Sequence, residues 1–396
     1  MEFKNVFVDG VPSDIRVADG VIAAITPCHA PAEPPALMAL PSFANLHTHS
    51  AMTLLRSAGS GLPLHRWLAE AIFPLEAQLT ADSVRRGADL ACIEMRRSGT
   101  TAFNDMYFHI ESTLQAAHQH RLRGNVALSV VDADFDTGNV ECFIRDYERL
   151  AAEQAALGAG LTVSIAPHAI YTVSGKHLKY LADFAHEHNT LFHMHLSETE
   201  KEVNDCLREQ GVRPVVYLER LGVLDAVGDR FVGAHALWLD DDEISLLGSR
   251  GVTVVHNPNS NLKLGSGFRF RYAELRDAGV NVALGTDGCA SSDNLDLLEA
   301  AKLMSLLQKG TRNDPSVMPA AEALGVASAN GRRALRLPDN SLKAGHVADF
   351  FLVDINTMPF NDIDYISSTP AQIHEMMLNR LLYAAHSDVI KEVVTP

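Results

Sequence analysis

The sequence predicts an α/β protein: a (β/α)8 TIM barrel with a small β-sandwich domain built from its N- and C-terminal segments. Three observations carry this reading. Short β-rich runs alternate with longer helical patterns along the middle of the chain, which is the signature of repeated βα units. Polar and ionisable residues gather at the C-terminal ends of those runs, where a barrel brings them around one mouth and an open sheet would scatter them. Outside the alternating region, both ends of the chain switch to a two-residue period.

The predicted barrel strands are 41–49, 100–107, 125–132, 161–168, 190–196, 230–237, 252–258 and 281–287, separated by helical stretches such as 82–98 and 175–189. At the N-terminus, 3–30 alternates apolar and polar residues with turn signals at Asp9-Gly10 and Asp19-Gly20, and GHVADFFLVDI (345–355) reads as further strand. The two ends are expected to pair, giving a small β domain of 1–40 and 345–396 and a barrel of 41–344. No low-complexity segment or longer repeat interrupts this pattern.

Composition narrows the functional classes. Of the 396 residues, 47% are hydrophobic and 21% charged, and no apolar run approaches the ~18 residues of a membrane span. The beginning, MEFKNVFVDG, carries no apolar signal segment, so a cytoplasmic location is the expectation. Cys28, Cys92, Cys142, Cys206 and Cys289 are odd in number and show no paired spacing, which points to reduced thiols. A formal charge of −16 with no basic stripe argues against a nucleic-acid partner and favours a small, neutral or cationic substrate.

Chemistry concentrates at the predicted strand ends. His47 and His49 lie two apart on a strand, so both side chains face the same way and can chelate a metal. His195, His235 and Asp287 end three other strands at the same mouth. Any one of these histidines has a bland reading as a satisfied core residue, but five such groups converging do not. Nitrogen and carboxylate ligands suit one divalent metal, zinc first, with iron and manganese as alternatives.

The segments NLHTHSAMTLLR (45–56), PLEAQLT (74–80), FNDMYFH (103–109), APHAIYT (166–172), HMHLSET (193–199), HNPNSNLKLGSG (256–267) and LGTDGCASSDNLDL (284–297) resemble the methylthioadenosine/S-adenosylhomocysteine deaminases of the amidohydrolase superfamily. The resemblance spans nearly the whole chain. It implies metal ligation by His47, His49, His195 and Asp287, with Glu198 as acid/base and His235 beside the attacking water. Asp287 takes the proton of that water. Glu76 and His168 match positions that hold the ribose of a purine nucleoside. Trp67 is a candidate to close over the substrate, with packing of its own loop as the alternative.

The implied reaction is hydrolytic deamination of an adenine nucleoside: 5′-methylthioadenosine, 5′-deoxyadenosine, adenosine or S-adenosylhomocysteine. Guanine, pterin and s-triazine hydrolases share the ligands and remain the alternative within the enzyme class; an inactive scaffold barrel is the alternative outside it. Barrels of this kind often pair, so a homo-oligomer is a possible assembly. Members active on S-adenosylhomocysteine carry arginines at the end of the third strand and after it, where this chain reads NVALSVVDADFDTGN. That stretch favours a short neutral 5′ tail. The chain stops at KEVVTP, short of the family's usual further strands, so the β domain is expected to be incomplete while the site is not affected.

Overall fold

The structure, a computed structural model, describes residues 1–28, 34–132, 140–158, 160–365 and 367–396. The segment 133–139, the later part of the arginine-free stretch NVALSVVDADFDTGN, lies outside the described residues, as does the side chain of Cys142. Among the described residues Cys28, Cys92, Cys206 and Cys289 form no disulfide.

By internal contacts the chain forms two compact units: Met1–Ala44, Ile93–Ala102 and Asp296–Pro396 in one, Asn45–Cys92 and Phe103–Leu295 in the other. In the first, strands β1 (Glu2–Val8), β2 (Val11–Ala18), β3 (Val21–Pro27) and β4 (Leu37–Pro41) join β13 (Phe350–Asp354) and β14 (Ile390–Val394) in one six-stranded sheet, ordered β14-β13-β4-β1-β2-β3. The two ends of the chain therefore do meet, through the antiparallel pairing of β4 with β13. Both Asp-Gly pairs turn hairpins with positive φ at each residue, 49° and 77° at Asp9-Gly10, 50° and 73° at Asp19-Gly20, the handedness that matches strand twist. Alternate residues Val6, Val8, Ile15, Val17, Phe350 and Leu352 build the core on one face.

The segment 296–344, expected within the barrel domain, groups instead with this unit. Its helix Leu297–Arg312 meets a C-terminal helix, Pro370–Tyr383, where the Ser305 and Tyr383 hydroxyls lie 2.7 Å apart. That second helix sits where only strands were anticipated, and it starts at a Thr369/Gln372 capping box. A buried ion pair, Arg332 Nη1 to Asp349 Oδ2 at 2.7 Å, ties the same unit together, with Thr101 donating to the other Asp349 oxygen.

The barrel strands are β5 (Phe43–Thr48), β6 (Thr100–Tyr107), β7 (Arg123–Val130), β8 (Leu161–Pro167), β9 (Phe192–Leu196), β10 (Phe231–His235), β11 (Thr253–His256) and β12 (Asn281–Leu284). They hydrogen-bond in sequence order in one eight-stranded sheet, with parallel ladders. All eight predicted strands are present. Asn45 stitches β5 to the end of β12: its side-chain nitrogen donates to Thr286 Oγ1 at 2.7 Å and its oxygen accepts the Thr286 amide at 3.1 Å, while the Asp287 amide reaches the His47 carbonyl. Several strands end a residue or more before their predicted limits, because the chain turns into left-handed backbone at the mouth: φ is 75° at His235, 48° at Ala236 and 65° at Asp287. Such conformations are costly for non-glycine residues and gather at functional sites.

Candidate active site

His47 is the penultimate residue of β5 and His49 follows its end; Thr48, between them, points away and donates to the buried Asp105 at 2.8 Å. Asp105 also accepts the Ser50 amide and hydroxyl at 2.7 and 2.6 Å, which fixes the turn that carries His49. Two glycines let the facing segment approach: a Cβ on Gly285 would lie 3.0 Å from the His47 Cβ, and one on Gly288 would lie 3.1 Å from the His49 Cβ. His47, His49 and Asp287 consequently offer one donor atom each within 4.8 Å of one another, as do His47, His195 and His235.

The second ring nitrogen decides what each histidine can do. His49 Nδ1 donates to the Met106 carbonyl at 2.6 Å and His195 Nδ1 donates to the His168 carbonyl at 2.8 Å, so both rings turn Nε2 to the centre. Burial lowers the His49 pKa but Asp287 raises it to about 9, so a metal there would replace the Nε2 proton. His47 turns Nδ1 toward His193 Nε2 at 2.9 Å and leaves its buried Nε2 without a hydrogen-bond partner. His235 is different. Asn261 Nδ2 donates to its Nδ1 at 2.8 Å, which places the ring proton on Nε2; this atom is buried, has no hydrogen-bond partner, and lies 3.7 Å from Glu198 Oε2. His235 is thereby a hydrogen-bond donor into the cavity, and burial, lowering its pKa to about 3, keeps the ring neutral.

Asp287 directs Oδ1 at His49 Nε2 (3.2 Å) and His47 Nε2 (3.4 Å). Its Oδ2 accepts from Ser260 at 2.6 Å and Ser291 at 2.9 Å, and Oδ1 also takes the Gly288 amide at 2.8 Å. Burial pushes its pKa up, but the two imidazoles overcome this and hold it well below the carboxylate range. Glu198 is 3% exposed, and burial together with the charges of Asp287 and Glu202 holds it well above that range. The surroundings drive the two carboxyls in opposite directions, Asp287 toward the ionised form and Glu198 toward the protonated one, the separation that acid/base chemistry uses. The three nitrogens and one carboxylate of His47, His49, His195 and Asp287 suit a divalent transition metal.

A cavity opens over these groups, lined by His49, Glu198, His235 and Asp287 on its floor and by Trp67, Glu76 and His168 among its walls. Trp67 ends the short helix Leu64–Trp67 and its indole donates to the Ala58 carbonyl at 2.9 Å, so it is a fixed wall. A π-turn, Leu68–Ile72, follows, then helix Phe73–Glu76. Lining positions run 64, 67, 68, 72, 73, 76, slipping by one residue at the π-turn; an unbroken α-helix would bring 71 and 75 round instead. The slip delivers Glu76, whose pKa burial pushes up beside the Tyr107 hydroxyl. His168 Nδ1 and Thr172 Oγ1 share a hydrogen bond at 2.9 Å, and burial lowers the His168 pKa to about 4.

The amidohydrolase family model matches residues 38–394. The chain belongs to the amidohydrolase family. The family's enzymes depend on a divalent metal, in keeping with the donor set above. Its relatives include the 5′-deoxyadenosine deaminase of Methanoregula boonei, 46% identical over 90% of this chain and 78% of that protein. The 5-methylthioadenosine/S-adenosylhomocysteine deaminase 1 of Archaeoglobus fulgidus is 38% identical over 90% of this chain and 80% of its own length. Among solved structures, an adenosine deaminase from Xanthomonas campestris with bound zinc superposes with a TM-score of 0.85 at 33% identity, covering 97% of this chain and 87% of the other. No helix among the described residues is long and apolar enough to cross a membrane.

Several residues of this amidohydrolase site escaped the sequence reading, among them His193, Asn104, Ser260 and Glu202. His193 and Asn104 continue the His47 contact inward: Asn104 Nδ2 lies 3.1 Å from His193 Nδ1, and Asn125 donates to Asn104 Oδ1 at 2.8 Å. HMH shows the same two-residue spacing as HTH, so His193 could have been flagged from the pattern. Ser260 and Glu202 had no such signal.

Proposed function

We propose that the protein deaminates an adenine nucleoside hydrolytically, with His47, His49, His195 and Asp287 holding one divalent metal, preferably zinc. The observation that carries the reading is geometric: His47, His49, His195 and Asp287 converge at a cavity that Glu198 and His235 also line, with the Glu198 carboxyl 3.7 Å from His235 Nε2. The metal, when bound, supplies a nucleophilic water at neutral pH by lowering its pKa from 15.7 toward ~7. Glu198 gives its proton to N1 of the purine as water attacks C6, so charge does not build up on the ring. Asp287 takes a proton from the attacking water, and His235 Nε2–H orients that water and stabilises the oxygen developing at C6. The proton that Asp287 took passes to the amino group and ammonia leaves, while the remaining hydroxyl proton at C6 returns to Glu198 as the carbonyl forms, restoring both carboxyls. Glu76 and His168 accept hydrogen bonds from the ribose hydroxyls, and Trp67 forms a wall against the nucleoside.

A short uncharged 5′ group is favoured, as in 5′-deoxyadenosine or 5′-methylthioadenosine. Among the described residues lining the cavity there is no lysine or arginine, and Phe73 and Phe108 add apolar surface. Similarity to a 5′-deoxyadenosine deaminase points the same way. Ammonia release from zinc-loaded protein should follow 5′-deoxyadenosine and 5′-methylthioadenosine, with adenosine next and S-adenosylhomocysteine weakest. Turnover of guanine or a triazine with no nucleoside activity would overturn the reading.

A further inference from the structure

After β9 the chain turns sharply to bring Glu198 over the cavity. Ser197 takes left-handed backbone, φ 45°, a conformation a serine holds only when its surroundings enforce it. On one side, the Ser197 carbonyl accepts the amides of Leu237 and Trp238, both at 3.1 Å, and the Leu196 carbonyl accepts that of Ala236 at 2.8 Å. On the other side stands one side chain. Glu202 Oε1 accepts the Ser197 amide and Oε2 accepts the Glu198 amide, both at 2.9 Å.

Glu202 occupies the third position of helix Glu200–Gln210, whose N-cap is Thr199, and the Thr199 hydroxyl accepts the Glu202 amide at 3.1 Å. In a capping box the glutamate at this position reaches back to the amide of the cap residue itself. Here it interacts with the Thr199 amide and also reaches further, dividing its two oxygens between the amides of the two preceding residues. A carboxylate buried to 3% exposure is thus satisfied by the backbone of the turn that carries Glu198. The Glu198 carboxyl accepts from Ser266 Oγ at 3.1 Å and lies 3.7 Å from His235 Nε2, while its backbone amide is held by Glu202.

We propose that Glu202 is a positioning residue for the reaction: its carboxylate locks the Ser197–Glu198 turn so that the Glu198 carboxyl is aimed at the purine ring. This rests on the acid/base role given to Glu198 above. Displacing a proton donor by about 1 Å can cost ~10²-fold in rate, while contacts to the metal and ribose are left in place.

The test is a double-mutant cycle on the zinc-loaded full chain, reading kcat, KM and zinc content for 5′-deoxyadenosine. Glu202→Gln presents an NH2 group to one of the two amides and cannot hold both. The expected result is a fall in kcat of about tenfold or more with KM and zinc content unchanged, and no further fall when Glu202→Gln is added to Glu198→Gln, because the first acts through the second. If Glu202→Gln does not fold, Glu202→Asp keeps the charge but is one methylene too short to span both amides, and the same results are expected. Full kcat in the Glu202 variant, or an equal fold-loss in both backgrounds, would overturn the positioning role. Full activity of Glu198→Gln alone would instead refute the role of Glu198, a distinguishable failure.

Discussion

Replacing Glu198 by Gln keeps shape and removes one transferable proton. The amide oxygen can still accept from Ser266, whose hydroxyl lies 3.1 Å from Oε1, and the side chain stays in a buried slot of the same volume. No metal-site residue depends on Glu198 for its orientation: His49 and His195 are fixed by the Met106 and His168 carbonyls, and Asp287 by Ser260 and Ser291. Zinc content and KM should therefore stay within about a factor of two or three, while kcat loses what a placed proton donor supplies, ~10²–10⁴-fold. At ~1.4 kcal/mol per decade this is about 3–5 kcal/mol of transition-state stabilisation. Steady-state ammonia release with metal analysis of the same sample measures it. A kcat within threefold of wild type would refute the proton-donor argument, and loss of zinc alongside kcat would show that Glu198 supports the metal instead.

Three further outcomes are expected. Glu76→Ala and His168→Ala should each lower kcat/KM for nucleosides by about tenfold or more, mainly through KM, with zinc retained; unchanged constants would remove the ribose contacts. His256 is buried, stacked on Phe270 at 4.1 Å, and burial lowers its pKa from 6.5 to about 3, so the unfolded chain takes up the proton first. Stability should fall as pH drops from about 6.5 through 3, and His256→Phe should flatten part of that slope in urea titrations; an unaltered slope would refute it. Asp349→Asn leaves the buried Arg332 guanidinium without its counter-charge and should cost about 3–5 kcal/mol, visible as a lowered unfolding midpoint; no shift would show that the pair contributes little.

The sequence by itself was enough for what depends on short stretches of chain. Period-two and helical patterns placed all eight barrel strands, the two Asp-Gly hairpins follow from residues that tolerate positive φ, and the strand-end residues His47, His49, His195, His235 and Asp287 do converge. Tertiary structure alone decided what each of those groups can do. The tautomer of His49 is set by a carbonyl 57 positions away and that of His235 by an asparagine 26 positions away, and no local pattern encodes those pairings. Glu76 faces the cavity only because a π-turn shifts the helix phase by one residue, where a regular 3.6-residue period would have presented Leu75. The high pKa of Glu198 is likewise a product of burial and of two carboxylates brought beside it by folding. Residue type and spacing select which groups reach the mouth; desolvation and long-range hydrogen bonds, which exist only once the chain has closed on itself, fix their protons.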